Sequence, residues 1–404
     1  MARHTTTGWN TFSRLLLLAV LGALYLAAPR SVVAVPQTAQ HLDDDDGNLT
    51  FYVANDARGG VGTESLSTCE YFQGTLAAMR DIDGAGDLLI SPGDMTPLPA
   101  TYRAITTTLG PTYRWYPGVG NHEFPGEGVE TAPGDNLAWI QSYVRQIPNR
   151  AELEASLRAG PTGCPETTYS FDYAGTHFVI LNVYCDESGP MTTHGDVPDH
   201  LYDWLAADLQ ANALPRAFIF GHEPAYPQRD AGSGRARHAS NCLNAYPENR
   251  DRFWQLLADH QVTAYFSGHT HSYSAVRISG VWQVNTGHAA GLAETGTRST
   301  FVRVIVSPTT VNYETYRQRI DAPCDYELTD AWTDQSGNRD LVPTPVVTPT
   351  RAPRGLLATV DVPGAAVEIG LALLAIALLV GTLFVIILAI RAGRPSSDGA
   401  ENHP

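Results

Sequence analysis

Apolar and polar positions alternate over Leu49–Ala54 and predict a strand. Short apolar runs at Leu88–Ile90, Tyr113–Val119, Ala217–Phe220 and Val262–Ser267 predict further strands. Thr168–Tyr173 and His177–Tyr184 flank Ala174-Gly175 and read as a hairpin, while Ile278–Val284 and Phe301–Val306 read as late strands. Helical spacing marks Leu66–Arg80, Tyr102–Leu109, Leu137–Gln146, His200–Leu209 and Asp251–His260. Strand and helix alternate before the late hairpins enter, so the pattern predicts a layered α/β domain whose sheets are not purely parallel. In such domains chemistry gathers on loops past the carboxyl ends of strands.

Two apolar segments lie outside that domain. Arg3 and Arg14 precede an apolar run, Leu15–Ala28, that is short for a bilayer span, and the small residues Val32-Val33-Ala34 follow. Residues 1–34 read as a secretory signal peptide. Ile369–Ile390 carries no charge and is long enough to cross a bilayer. Arg391 and Arg394 follow it, which predicts a transmembrane helix over 365–390 and a cytoplasmic tail over 391–404. The Pro- and Thr-rich stretch within 336–364 reads as an extended stalk, and the acidic segment 35–47 as a polar linker. The catalytic unit is therefore expected over 48–335, outside the cytoplasm, on a single-pass membrane protein.

Composition narrows the chemistry. The formal net charge is −16, and all 26 basic residues are arginine. Without lysine, neither a Walker A phosphate loop nor a Schiff base can form. The acidic balance argues against nucleic acid as a partner, and an anionic substrate would need bound cations to reach such a chain. The five cysteines, Cys69, Cys164, Cys185, Cys242 and Cys324, contain no CxxC pair. In an oxidising compartment they predict one or two disulfides with at least one thiol left over.

Five strand ends carry metal-ligand residues. They are Val53-Ala54-Asn55-Asp56, Ser91-Pro92-Gly93-Asp94, Gly120-Asn121-His122-Glu123, Gly221-His222-Glu223 and Gly268-His269-Thr270-His271. Glycine precedes the ligand in four of them, where it lets the backbone turn and approach an ion closely. Taken singly each is weak; five in one chain, all after strands, point to one centre. Neither His122 nor His222 opens an HExxH motif, and no Gly-x-Ser-x-Gly elbow is present.

The order Asp…Gly-Asp…Gly-Asn-His-Glu…His…Gly-His-x-His resembles the calcineurin-like metallophosphoesterase superfamily, which includes the purple acid phosphatases. The resemblance covers roughly residues 49–310. It implies a four-layer αββα sandwich, two mixed β-sheets flanked by helices, preceding the transmembrane helix. It implies two divalent or trivalent transition-metal ions, Zn, Fe or Mn. Asp94 would bridge them, with Asp56 and His271 on the first and Asn121, His222 and His269 completing the second. His122 would act as general acid while a metal-activated hydroxide attacks phosphorus. The implied function is extracytoplasmic hydrolysis of a phosphate ester, with the membrane engaged through the C-terminal helix. Nothing in the sequence sets an oligomeric state.

One position departs from the pattern. The family motif reads Asp-x-His where this chain reads Asp56-Ala57-Arg58, and a tyrosine of purple acid phosphatases falls at Pro97. The first ion is thus one ligand short: water or an unmatched residue fills the place, the ion binds weakly, or the centre uses one metal. Arg58 cannot ligate a metal, and the alternatives are a bidentate clamp on substrate phosphate or a solvated arginine. His177, His200 and His260 are expected to be structural, and His288 to reach the site edge at most. Two other functions stay open: a phosphodiesterase rather than a monoesterase, and a surface-anchored binding protein that has kept the fold without the activity.

Overall fold

The computed structural model describes residues 48–58, 68–124, 136–147, 150–153, 155–185, 194–294 and 296–335. The predicted signal peptide, acidic linker, stalk, transmembrane helix and tail lie outside the described residues. Among the described residues no helix is long and apolar enough to cross a membrane.

Two mixed sheets form the centre. The first contains β1 (Leu49–Val53), β2 (Leu88–Ser91), β3 (Arg114–Pro117), β11 (Thr300–Val306), β12 (Val311–Gln318) and β13 (Tyr326–Asp334), in the order β13-β12-β11-β1-β2-β3. The second contains β4 (Arg158–Ala159), β5 (Tyr169–Tyr173), β6 (Thr176–Leu181), β7 (Arg216–Gly221), β8 (Ala264–Ser267), β9 (Tyr273–Ile278) and β10 (Val281–Thr286). Its order is β4-β5-β6-β7-β8-β10-β9. In each sheet the ligand-bearing strands are parallel neighbours: β1, β2 and β3 in one, β7 and β8 in the other. Their carboxyl ends therefore share an edge.

The period-2 alternation of β1 decides the layering. Phe51 points between the sheets and packs edge-on against Phe178, Phe218, Phe220 and Phe266 of the second sheet. Tyr52 points the other way, and its hydroxyl donates to Asp83 at the end of helix α1 (Phe72–Asp83) at 2.7 Å. The second sheet repeats the scheme. Phe266 faces inward, whereas Tyr265 packs against Phe253 and Trp254 of helix α6 (Pro247–Asp259). His177 of β6 is clamped between Asp172, at 2.7 Å, and Asp208 of helix α5 (Asp199–Ala211), at 2.9 Å. Helices α2 (Leu98–Leu109) and α3 (Asn136–Arg145) cover the β3 edge, where Tyr102, Trp139 and Tyr143 surround Trp115. A four-residue helix, α4 (Arg150–Leu153), follows α3.

Three local departures from the sequence reading have physical causes. Ile278–Val284 is a hairpin turn, not one strand: Ser279 and Gly280 sit at φ 49° and 87°, the left-handed pair that reverses β9 into β10. Helix α1 begins at Phe72 rather than Leu66, because Cys69 just before it is tied to Cys324. Its end is set by Gly84, whose N–H donates to the Arg80 carbonyl, and by the Ala85 N–H, which donates to that of Met79. Strands β12 and β13, absent from the sequence reading, extend the first sheet to its edge, and β12 alternates buried and half-buried positions as a one-sided strand should. A second disulfide joins Cys164 to Cys185, and Cys242 is buried and free.

Candidate metal centre

Each ligand-type residue sits one to four residues beyond its strand, and four of the six hold a backbone shape strands cannot. Asp56, Asp94, His269 and His271 all adopt positive φ, between 51° and 63°. Such conformations cost of order 1–3 kcal/mol for a non-glycine residue and persist where surrounding structure fixes them. Here the fixing groups can be named. Glu123, fully buried, accepts N–H bonds from Asp94 (2.8 Å), Met95 (2.8 Å) and Gly120 (2.6 Å), so one carboxylate braces two ligand loops. Asp94 Oδ1 accepts the His122 amide at 2.9 Å. Asp56 Oδ2 accepts the His269 amide at 2.9 Å, joining the first sheet to the second. Glycine is required at Gly120 and Gly268, because a Cβ at either would overlap the Asp94 carboxylate or the Asn55 and Asp56 side chains.

The six sequence-predicted ligands converge. His269 Nδ1 faces Asn121 Oδ1 at 3.0 Å, His222 Nε2 lies 3.5 Å from Asp94 Oδ2, and the two imidazole rings are 5.2 Å apart. Asp56, Asp94 and His271 place donor atoms within 4.8 Å of one another. Both nitrogens of His222 and Nε2 of His269 are buried without a hydrogen-bond partner. Unpaired buried polar atoms are costly, and a cluster of nitrogens and carboxylate oxygens left so is what a transition-metal cation satisfies. The residues present fit a metal ion.

The electrostatics agree. Burial works to raise the Asp94 carboxyl, but His222, His122 and Arg58 hold it well below the usual carboxylate range. Burial likewise opposes ionisation of Asp56, and His271 and His222 overcome it. Burial and the neighbouring His222 push His269 down to about 3, so its ring is the neutral form that can donate to a metal. His222 is also penalised by burial, yet Asp94 and Asp56 push it up to about 9.

Around this core the structure adds groups the motifs did not announce. Arg58 points inward: NH1 lies 3.2 Å from His122 Nδ1, NH2 3.3 Å from His271 Nε2, and Nε 3.4 Å from Asp94 Oδ2. Because a guanidinium only donates, His122 Nδ1 accepts and the ring proton sits on Nε2. Glu294 Oε2 lies 2.9 Å from His271 Nδ1 and accepts from Arg237 NH1 at 2.6 Å. His238 stacks obliquely on His269, 5.2 Å away. Glu223, next to His222, accepts from Tyr184 and the Gly195 amide, both at 2.8 Å, and burial pushes it up to about 7. His288 is fully buried behind His271, with Nε2 toward the Thr297 carbonyl and Nδ1 accepting from Ala290. It supports the site without opening onto it. Glu123 and Glu223 were visible as His-Glu pairs; Arg237, His238 and Glu294 lie in loops with no strand-end pattern.

Comparison with known proteins gives the same direction. The family model described as calcineurin-like phosphoesterase matches residues 50–273. Purple acid phosphatase 21 of Arabidopsis thaliana is 28% identical over 198 residues, covering 46% of this chain and 38% of its own length. Purple acid phosphatase 22 of the same plant is 26% identical over 220 residues, 52% of this chain and 43% of its own. The chain thus spans less than half the length of these curated relatives. Among solved structures, GAP50, the anchor in the inner membrane complex of Plasmodium, superposes with a TM-score of 0.42 at 10% identity, over 70% of this chain and 89% of that one.

Proposed function

The chain belongs to the calcineurin-like phosphoesterase family, and on that premise we propose that it hydrolyses phosphate esters at a metal centre held by Asp94, Asn121, His222 and His269. The observation that carries this reading is the set of buried, unpartnered imidazole nitrogens facing the ionised Asp94. A bound transition-metal ion supplies charge neutralisation at the phosphate and a water activated near neutral pH. The protein's own residues do the rest. Asp56 and His271 complete the acidic wall of the site, joined at 3.1 Å. His122, with its side chain 17% exposed and Nε2 3.9 Å from Asp94 Oδ2, serves as proton donor to the leaving oxygen. Arg58, at Nδ1 of that ring, opposes a second proton there, so the acid role of His122 belongs to acidic conditions.

Because two carboxylates raise His222 in the protein, loading the site displaces a proton, and metal affinity falls as pH is lowered. The membrane-anchored, extracytoplasmic location belongs to the same proposal. The disulfides Cys69–Cys324 and Cys164–Cys185 support an oxidising compartment, and the charge-free run Ile369–Ile390 supports the anchor. Paired assays of the full chain on mono- and diester chromogenic phosphates, with and without added metal, test the reaction; failure to cleave either ester would leave a binding protein on this fold.

A further inference from the structure

The two halves of the centre differ in what lies against their donor atoms. On the side of Asn121, His222 and His269, buried imidazole nitrogens have no partner. On the side of Asp56 and His271, charged side chains crowd the donor atoms, although Asp56 Oδ1 too is buried without a hydrogen bond. Asp56 Oδ2 takes the His269 amide and the Asn55 side-chain amide, and Oδ1 lies 3.1 Å from His271 Nε2. The other nitrogen of His271 faces Glu294 at 2.9 Å. Arg58 lies against the same atoms, its Nε 3.4 Å from Asp94 Oδ2 as an ion pair and its NH2 3.3 Å from His271 Nε2. Its guanidinium thus touches the shared carboxylate and the histidine that the first ion would need.

We infer that the Arg58 guanidinium takes the place of the first metal ion, making this a one-ion centre whose second positive charge is a side chain. The inference rests on the metal-dependent reading above and specifies its stoichiometry. Three physical points carry it. An arginine stays protonated at any accessible pH and offers no lone pair, so it cannot become a ligand for an incoming ion. A divalent ion in contact with Asp94 Oδ2 and His271 Nε2 would stand within a few ångströms of a fixed positive charge, where Coulomb repulsion in a poorly solvated site is large. Arg237 adds a second guanidinium beside the same histidine, 2.8 Å from Nδ1. Arg58 nonetheless keeps an open face, its side chain being 21% exposed, so its free N–H edge can meet a phosphate oxygen.

The test is metal content. The full chain is equilibrated with excess Zn(II) or Mn(II), freed of unbound ion and analysed by mass spectrometry of the metal. One ion per chain is expected for the wild type and two for Arg58→His. Two ions in the wild type overturn the inference while leaving the metal-dependent function intact; no ion at all overturns that function instead. One ion in both proteins also overturns it, since the guanidinium would then not be what excludes the second ion. Should Arg58→His fail to fold, His271→Ala decides: the count stays at one if only the second site is used, and a count reduced from the wild type's shows that His271 binds an ion.

Discussion

Glu123→Gln isolates the brace beneath the centre without touching any proposed ligand. In the native protein one buried carboxylate accepts three backbone N–H groups, from Asp94, Met95 and Gly120, at 2.6–2.8 Å. Glutamine has the same shape but only one accepting oxygen. With that oxygen kept on Asp94 and Gly120, its amide group must face the Met95 N–H, donor against donor. Two charge-assisted bonds then become neutral ones, each losing about 1 kcal/mol, and the third is lost at about 1–3 kcal/mol. Relief from burying an ionised carboxyl, which burial and Asp94 push upward, offsets part of this. The net expectation is about 2–4 kcal/mol of destabilisation. Because Asp94 sits at φ 56° on the strength of this brace, metal affinity should also fall by about 10–100-fold. Urea denaturation and metal titration of the full chain read the two effects. A variant within about 0.5 kcal/mol of wild type, with unchanged metal affinity, would refute the bracing argument; the native Glu123 would then be protonated and glutamine its mimic.

His122→Asn should slow turnover of an alkyl phosphate by about 10²–10⁴-fold and that of a nitrophenyl ester far less. Burial, aided by Arg58 and opposed by Asp94, pushes His122 down to about 4. Wild-type turnover of the alkyl ester should therefore rise as pH falls from 7 toward 5, and an equal rise in His122→Asn would remove the residue from the proton transfer. Away from the centre, burial disfavours a charged His177, but Asp172 and Asp208 outweigh it and raise its pKa. A raised folded value stabilises fully below the unfolded value of about 6.5 and is lost as pH climbs through the folded one. His177→Gln should thus cost about 1–3 kcal/mol at pH 6 and progressively less in alkali; a cost independent of pH contradicts the ionised clamp. Finally, burial pushes the Cys242 thiol up, so thiol reagents should find no group in the native protein and one after unreduced denaturation. Three titrating thiols would mean that one of the two disulfides is absent.

The strand-end ligands were legible because their physics is local. An apolar run, a glycine and a polar residue report a strand, a sharp turn and a group aimed past the sheet edge, and Asp94, Asn121, His222 and His269 all follow that grammar. The inward face of Arg58 was not legible, since its two readings differ only in which way a side chain turns, and partners at 64 and 213 residues' separation decide it. Glu294 and Arg237 were invisible for the same reason: loops bring them to His271, and nothing beside them in sequence marks a site. Glu123 was half legible, because its spacing from Asn121 was plain while its three amide donors come from two separate loops. In the fold, the period-2 pattern found the central strands but read through Ser279-Gly280, a two-residue turn that reverses β9 into β10 between short apolar stretches. Disulfide pairing depends on which loops meet, and the cysteine spacing carried none of that.

The central claim is that a transition-metal ion on Asp94, Asn121, His222 and His269 drives phosphate ester hydrolysis. The direct measurement is turnover of a nitrophenyl phosphate by the full chain after metal removal and again after reconstitution, alongside Asp94→Asn and His269→Ala. The account predicts activity only in the reconstituted wild type, with both variants reduced at least about 10²-fold, the scale on which losing a transition-state charge stabiliser is felt. Turnover that survives metal removal, or full activity in both variants, would contradict it.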